Sequence, residues 1–143
     1  MRRFYLQRNV DVTGISGNGR VAEGAILSDE RVVMSWLSAT PSGTVHDSIE
    51  AAEYIHGHNG NSVFIYDGQC GEYPKLYQLI HSENKSGLSG VGKVAEIVEF
   101  SNRWACLNWV VSPYQIEFFS SIDSLIAVHA SSTQPHSTID MEY

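Results

Sequence analysis

The chain has 143 residues, of which 43% are apolar and 10% aromatic, so it is long enough for one ordinary domain or two very small ones with a packed core. Its formal net charge of −7 and its pI of about 5.2 argue against sequence-independent nucleic-acid binding, which depends on Lys and Arg neutralising phosphates. It has neither an apolar run of the roughly 20 residues that span a bilayer nor the apolar core of a secretory signal, so we expect a cytoplasmic protein without a membrane partner.

The first half of the chain predicts a series of short strands and one helix. Alternation of apolar and polar residues predicts strands at 4–7, 20–27, 31–37, 44–46 and 62–66. A tight turn at Ser28-Asp29-Glu30 joins the second of these strands to the third. The helix is predicted to begin at a capping box, Asp47-Ser48-Ile49-Glu50, and to stop at Gly57.

The second half predicts the same series again. Its strands are expected at 76–80, 93–100, 104–111, 116–119 and 137–141. A second capping box, Ser120-Ser121-Ile122-Asp123, predicts the start of its helix. Strand alternation places Met34 and Trp36 on the core face of the first half, and Leu107 and Trp109 on that of the second.

The two halves are copies of one unit. A shift of 73 residues, which places Gly14 on Gly87, aligns many residues without a gap. The identical pairs include Ser16/Ser89, Gly17/Gly90, Gly19/Gly92, Val21/Val94, Ala22/Ala95, Glu23/Glu96, Trp36/Trp109 and His56/His129. We predict an α+β fold made by tandem duplication of a β-β-β-(β)-α-β unit. Its units are residues 1–68 and 73–143, with a linker at 69–75, and each is marginal alone, so we expect them to pack with pseudo-two-fold symmetry.

Glycine-rich segments at Gly14–Gly19 and Gly87–Gly92 are the first candidate site. Backbone amides there, with the hydroxyls of Ser16 and Ser89, suit an anion. A phosphate-binding P-loop would continue into a Lys-Ser/Thr pair and a helix, whereas a strand follows here, so glycine at a turn before a hairpin is the favoured interpretation. A turn does not require the retained serines, so Ser16, Gly17, Ser89 and Gly90 are predicted binding residues.

The segment Ile55-His56-Gly57-His58 is the second candidate site. Two histidines with a carboxylate would be weak candidate ligands for a metal. The second copy keeps His56 as His129 but replaces His58 with Ser131, which favours a helix-end role for His56 and His129. We therefore predict no metal and no cofactor, and we keep His58 as a binding residue.

Five further side chains are candidates for chemistry or binding: two glutamates, one tryptophan and the two cysteines. Glu23 and Glu96 form an acid/base pair if the two units bring them together, but solvent-facing strand positions are the favoured interpretation. Trp104 is matched by Arg31 rather than by another tryptophan, and it lies at a hairpin end. An aromatic there predicts an exposed contact surface, so Trp104 joins the binding residues. Cys70 and Cys106 lack the spacing of a metal or disulfide motif.

The first copy resembles small single-unit proteins encoded in bacterial and phage genomes. The resemblance rests on residues 11–19, on Val21-Ala22-Glu23-Gly24, on Trp36 and Ser48-Ile49-Glu50, and on Ile55-His56-Gly57-His58. It implies a shared fold unit and a prokaryotic or viral origin, and it implies no particular activity. In the second copy Gly24 becomes Ile97 and His58 becomes Ser131, so any site that uses His58 exists once per chain.

The sequence therefore favours a non-enzymatic binding module, a phage or mobile-element accessory protein that binds a host protein or a small ligand. Inhibition of a host defence is one such role, and a homodimer is one possible assembly. The alternative is a small metal-dependent hydrolase that uses His56 and His58. A purely structural assembly component is the third class.

Overall fold

A computed structural model of the chain describes residues 1–9, 19–57, 60–82, 92–110, 115–129 and 137–141. Its contacts divide the chain into two compact units. Unit 1 consists of Met1–Pro74 together with Phe100–Asn102, and unit 2 consists of Lys75–Glu99 and Arg103–Tyr143. Both units are built mainly from antiparallel strands.

Unit 1 contains a five-stranded sheet in the order β4-β3-β2-β1-β5, with one short helix. Its elements are β1 (Arg2–Arg8), β2 (Gly19–Ile26), β3 (Val32–Trp36), β4 (Ser42–His46), α1 (Ile49–His56) and β5 (Ser62–Tyr66). A 3₁₀ turn at Asp67–Cys70 follows β5. Each predicted strand of this half is therefore confirmed, although the sheet dominates and the helix has only eight residues.

Unit 2 repeats the architecture, with strand order β10-β6-β7-β8-β9. Its elements are β6 (Lys75–His81), β7 (Gly92–Glu99), β8 (Ala105–Trp109), β9 (Ile116–Phe119), α2 (Ile122–His129) and β10 (Ser137–Met141). The two sheets thus confirm the duplication in element order and in strand pairing. The α+β expectation holds only coarsely, because each unit is predominantly β with one short helix. No helix among the described residues is long and apolar enough to cross a membrane.

A matched β-bulge shapes the long hairpin of each unit. In unit 1, Leu6 pairs with Ala22 and Gln7 with Arg20, so Val21 is the extra residue of β2. In unit 2 the same shift leaves Val94 as the extra residue of β7. A bulge reverses the alternation of side chains along its strand. Residues three apart across it, such as Arg20 and Glu23, therefore project from the same face.

Each helix covers one face of its sheet, and the apolar side chains of that face form the core. Corresponding residues fill corresponding places in the two cores. The buried pairs are Leu6/Leu79, Val21/Val94, Ala22/Ala95, Met34/Leu107 and Ala52/Leu125. Trp36 and Trp109 are half-buried against these clusters, which confirms the predicted core face. Burial of this kind supplies the main driving force for folding of each unit.

The helix starts differ from prediction by one residue. Ser48, not Asp47, is the N-cap of α1, and its Oγ accepts from the amide of Ala51 at 3.1 Å. Ser121 makes the equivalent bond to Ser124 in unit 2. A serine hydroxyl can satisfy one of the free amides of the first turn, and here the second member of each predicted box does so. Gly57 ends α1 as expected.

Candidate functional site

Of the six residues predicted to bind a ligand, Trp104 lies within the described part of the chain. Ser16, Gly17, Ser89, Gly90 and His58 lie outside the described residues. Trp104 is half-buried rather than exposed, and its ring lies 6.4 Å from that of Phe118 in a tilted arrangement. Because Phe118 in the neighbouring strand β9 packs against it, Trp104 is less exposed than its hairpin position predicted, and its role in binding stays a prediction.

The end of helix α1 brings two histidines together on the helix-facing side of the unit 1 sheet. His56 Nε2 lies 3.1 Å from His46 Nε2, which fits a hydrogen bond between the rings. The His56 ring also meets the half-buried Trp36 edge-on, at 4.9 Å between centroids. The predicted helix-end position of His56 is correct, and these contacts tie its imidazole to strands β3 and β4. Sequence reasoning missed His46, which lies ten residues earlier.

Arg8 is the charged member of the same region. Its side chain is only 1% exposed, although arginine is charged at any physiological pH. Its Nε donates to Ser62 Oγ at 3.1 Å, and its Cζ lies 5.8 Å from the centre of the Trp36 ring. Its Nη1 is buried and has no hydrogen-bond partner. Within the described residues, no carboxylate forms an ion pair with this guanidinium.

A second buried group without a partner lies on the same sheet face. Thr44 pairs with Met34, and His46 pairs with Val32, so both project from β4 towards the helix side. The Thr44 hydroxyl is buried and makes no hydrogen bond. We name Arg8, Trp36, Thr44, His46 and His56 the Arg8 cluster.

Unit 2 has a counterpart with different chemistry. The register that aligns Thr44 with Met34 aligns Glu117 with Leu107, so Glu117 occupies the position of Thr44. Trp109 Nε1 donates to Glu117 Oε2 at 2.7 Å, and His129 Nε2 lies 3.6 Å from the same oxygen. A carboxylate of the chain itself therefore occupies the space between the tryptophan and the helix-end histidine.

Other members of the Arg8 cluster are also exchanged in unit 2. By the same register, Phe119 replaces His46 and His81 replaces Arg8. The 73-residue shift pairs the same residues in the sequence, so the exchange could have been read from the repeat. The helix-end site of unit 2 thus contains an acid, whereas that of unit 1 contains an arginine and a second histidine.

Burial and charge act on His129 in opposite directions. Burial, the larger influence, lowers the pKa of His129, while the Glu117 carboxylate raises it. The separation of 3.6 Å is too long for a hydrogen bond, and His129 Nε2 has no other hydrogen-bond partner. Burial therefore outweighs the ion pair, and His129 is held towards its neutral form.

In the structure, His46 and His56 are two histidines close enough together to be considered as metal ligands. The 3.1 Å between the Nε2 atoms of His46 and His56 is close to the separation of two nitrogens on one tetrahedral zinc ion. A structural or catalytic zinc needs at least three protein ligands. Among the described residues, no group of three His, Cys, Asp or Glu side chains is arranged to hold a metal.

Glu23 occupies the opposite face of the unit 1 sheet and is buried, at 1% exposure. The prediction of a solvent-facing carboxylate is therefore wrong, and so is the one for Glu96, which is fully buried. Glu23 accepts from Ser101 N at 2.8 Å and from Ser101 Oγ at 2.5 Å, and Arg20 Nη2 lies 3.1 Å away. Glu96 is held by Lys93 Nζ at 3.0 Å. In each unit the bulge brings the matching cation and acid to one face.

A cleft of about 440 Å³ lies beside Glu23. It is lined by Arg20, Glu23, Leu37, Cys70, Glu72, Tyr73 and Ser101. The Arg20 guanidinium donates to the carbonyls of Cys70 and Tyr73 at 2.8 and 2.5 Å, so its charge holds the chain after β5 in place. Burial raises the pKa of the Cys70 thiol, which makes it a poor nucleophile. The partnered acid and the neutral thiol favour a structural role for this cleft.

Comparison with known proteins agrees with the repeat. The model of a family described as "Acb5 phage protein" matches residues 1–67 and, a second time, residues 74–138. Both the resemblance to small phage proteins and the tandem duplication are thereby confirmed. No curated protein and no solved structure matches the chain.

Proposed function

We propose, from the premise that the chain belongs to the Acb5 phage protein family, that it is a phage accessory protein that acts by binding rather than by catalysis. The binding site is the Arg8 cluster of unit 1. Its partner is a small ligand, or an exposed group of a host protein, that presents a hydrogen-bond acceptor to Arg8.

The buried guanidinium of Arg8 is the observation that carries this proposal. A buried charged donor without an acceptor costs several kcal/mol of folding free energy. Arg8 Nε is satisfied by Ser62, whereas Nη1 is not. Evolution can maintain such a cost where the group has a task in binding, because a bound acceptor recovers it.

The surroundings of Arg8 also suit a ligand better than they suit a core. Trp36 is half-buried and offers a flat apolar surface next to the cation. His46 and His56 can donate or accept according to tautomer, so they can adapt to a bound group. No arrangement of nucleophile, base and oxyanion donors is present among the described residues of this region, which is why binding is preferred to catalysis.

A binding screen with a matched pair of variants tests the proposal. The purified chain would be screened by thermal shift and calorimetry against nucleotides, dicarboxylates and extracts of host proteins. For any partner found, the double variant Arg8→Met with Ser62→Ala should abolish binding. It removes the buried charge together with both ends of the Arg8–Ser62 bond, so the variant should be at least as stable as the parent.

A control variant separates the site from the rest of the sheet. Glu96→Gln changes a buried charge of unit 2 and should leave the affinity unchanged. A partner that binds the Arg8→Met, Ser62→Ala protein as tightly as the parent would place binding elsewhere. A screen that finds no partner among host proteins and nucleotide messengers would count against the accessory role in countering host defence.

A metal-dependent hydrolase is the second candidate, and the His46–His56 separation is the observation that favours it. Its test is metal analysis of the protein purified without chelator. Stoichiometric zinc that is lost in a His46→Phe variant would replace the binding proposal with this one. Unit 2 has phenylalanine at the equivalent position, so the substitution fits the fold.

A further inference from the structure

We infer that the group bound by the Arg8 cluster is an oxyanion, a carboxylate or a phosphate, and that Glu117 supplies its equivalent inside unit 2, so that only unit 1 is open to it. The inference rests on the proposed function and adds to it the chemical class of the ligand group and a stoichiometry of one per chain. The residues that differ between corresponding positions of the two units support it.

Glu117 shows where an oxyanion is accepted in this fold. Its Oε2 receives the indole N–H of Trp109 at 2.7 Å and lies 3.6 Å from His129 Nε2. Trp109 and His129 are the counterparts of Trp36 and His56 by the repeat and by strand register. Unit 1 therefore retains the tryptophan and the histidine that surround the carboxylate in unit 2.

The acid itself is missing from unit 1, and its position is taken by a polar group without a partner. Thr44 stands where Glu117 stands, and its buried hydroxyl makes no hydrogen bond. A threonine is shorter than a glutamate by the length of the carboxylate arm and carries no charge. The exchange removes the acid from this position of unit 1 and leaves a buried hydroxyl without a hydrogen-bond partner in its place.

At other corresponding positions, unit 1 carries more basic side chains than unit 2. Where unit 2 has Phe119 and His81, unit 1 has His46 and Arg8. Unit 1 thus has neutral Thr44 in place of an acid, and it has near Trp36 a permanent cation, Arg8, whose Nη1 lacks a hydrogen-bond partner. Arginine presents paired N–H groups in a plane, which match two oxygens of a carboxylate or phosphate. Among the described residues no carboxylate pairs with Arg8, so an anion would compensate this buried charge better than a neutral acceptor.

Titration of the intact chain with two simple anions tests the inference. Inorganic phosphate and acetate would be added in separate NMR titrations while the indole signals of the tryptophans are followed. We expect saturable binding of one anion per chain with a Kd of about 1 mM, shifting the Trp36 signal and leaving that of Trp109 in place. The tighter of the two anions identifies the geometry of the natural group as tetrahedral or planar.

A charge-matched pair of variants tests the position. Thr44→Glu places the unit 2 carboxylate in unit 1 and should weaken anion binding by about tenfold or more. Thr44→Gln has nearly the same volume without the charge and should keep the affinity within about threefold of the parent. Glu117→Gln, in unit 2, should leave it unchanged. Equal loss in both Thr44 variants would overturn the inference, because bulk rather than charge would then be responsible.

The indole NMR signals of Trp36 and Trp109 in the parent protein test the inference even where a variant fails to fold. Equal shifts at Trp36 and Trp109, or no saturable binding of either anion, would overturn the inference. The outcomes that would overturn the proposed function differ from those that would overturn the oxyanion inference. A neutral partner that binds through Arg8 would sustain it without the oxyanion, and anion binding without any larger partner would sustain the oxyanion alone.

Discussion

Trp109 Nε1 donates a hydrogen bond of 2.7 Å to Glu117 Oε2, and the indole ring meets His129 edge-on at 5.1 Å between centroids. The relationship joins strand β8, strand β9 and the end of helix α2 in one polar contact. It also shows how the repeat was altered, because Trp36 and His56 persist in unit 1 while the acid does not. The first prediction follows from this contact.

Glu117→Ala should destabilise the protein by about 1 kcal/mol, because the indole N–H of a half-buried tryptophan loses its acceptor. Glu117→Gln keeps an acceptor for Trp109 and should cost less. Both variants remove the charge that raises the pKa of His129, so that pKa should fall further in each. Urea denaturation measures the first effect, and NMR titration of the imidazole measures the second. A His129 pKa that rises in Glu117→Gln would contradict the assigned role of the charge.

Stability should decline in acid because of His129. Burial lowers its pKa in the folded chain below the ordinary value of 6.5, so the unfolded chain binds more protons in the window just below that value. The stabilisation by neutral His129 is complete above pH 6.5 and is lost as the pH falls towards the folded pKa. The slope from this one group is at most about 1.4 kcal/mol per pH unit.

The measurement is a series of urea denaturation curves from neutral to mildly acidic pH. A His129→Gln variant should show a flatter decline than the parent, because it lacks the titrating group. The same slope in both proteins would assign the acid sensitivity to other residues.

Removal of the buried charge of Glu23 should also destabilise unit 1. Its carboxylate accepts two hydrogen bonds from Ser101 and faces Arg20. In Glu23→Gln the new amide N–H group faces the hydrogen-bond donors of Ser101 and Arg20. We therefore expect the free energy of unfolding to fall by about 1–3 kcal/mol, as measured by chemical denaturation. Glu96→Gln should act in the same direction in unit 2. Glu72→Gln, at an exposed position, is the control and should stay within about 0.5 kcal/mol.

Gly24 should not tolerate a side chain. A Cβ there would come within 2.6 Å of the Val33 carbonyl and would overlap the Phe4 ring, which lies across the glycine. Gly24→Ala should therefore cost about 1–3 kcal/mol through overpacking. Gly68→Ala is the matched control, because a Cβ at Gly68 meets nothing within 4 Å and the change should be close to neutral. Equal stability of the two variants would show that Phe4 can move aside.

Much of the fold could be predicted because its signals are local and occur twice. Alternation in Val32–Trp36 and in Ala105–Trp109 predicts strands, and the agreement of two copies corrects the ambiguity of each. The helix starts were misplaced by one residue, since adjacent polar residues at Asp47-Ser48 can both cap and only the backbone conformation selects between them. The burial of Glu23 could not be predicted, because it depends on the bulge at Val21 and on Ser101, far along the chain.

The sequence by itself determined the repeat, the strand pattern and the core face, because these depend on residue type at fixed local spacing. It also contained every substitution between the copies. Only the tertiary structure decided which of them belong together. His46 and His56 meet because helix α1 returns across strand β4, and Arg8 comes near Trp36 because two intervening pairings align their strands. Contacts of this kind depend on register and on helix placement, which no local pattern of residues records.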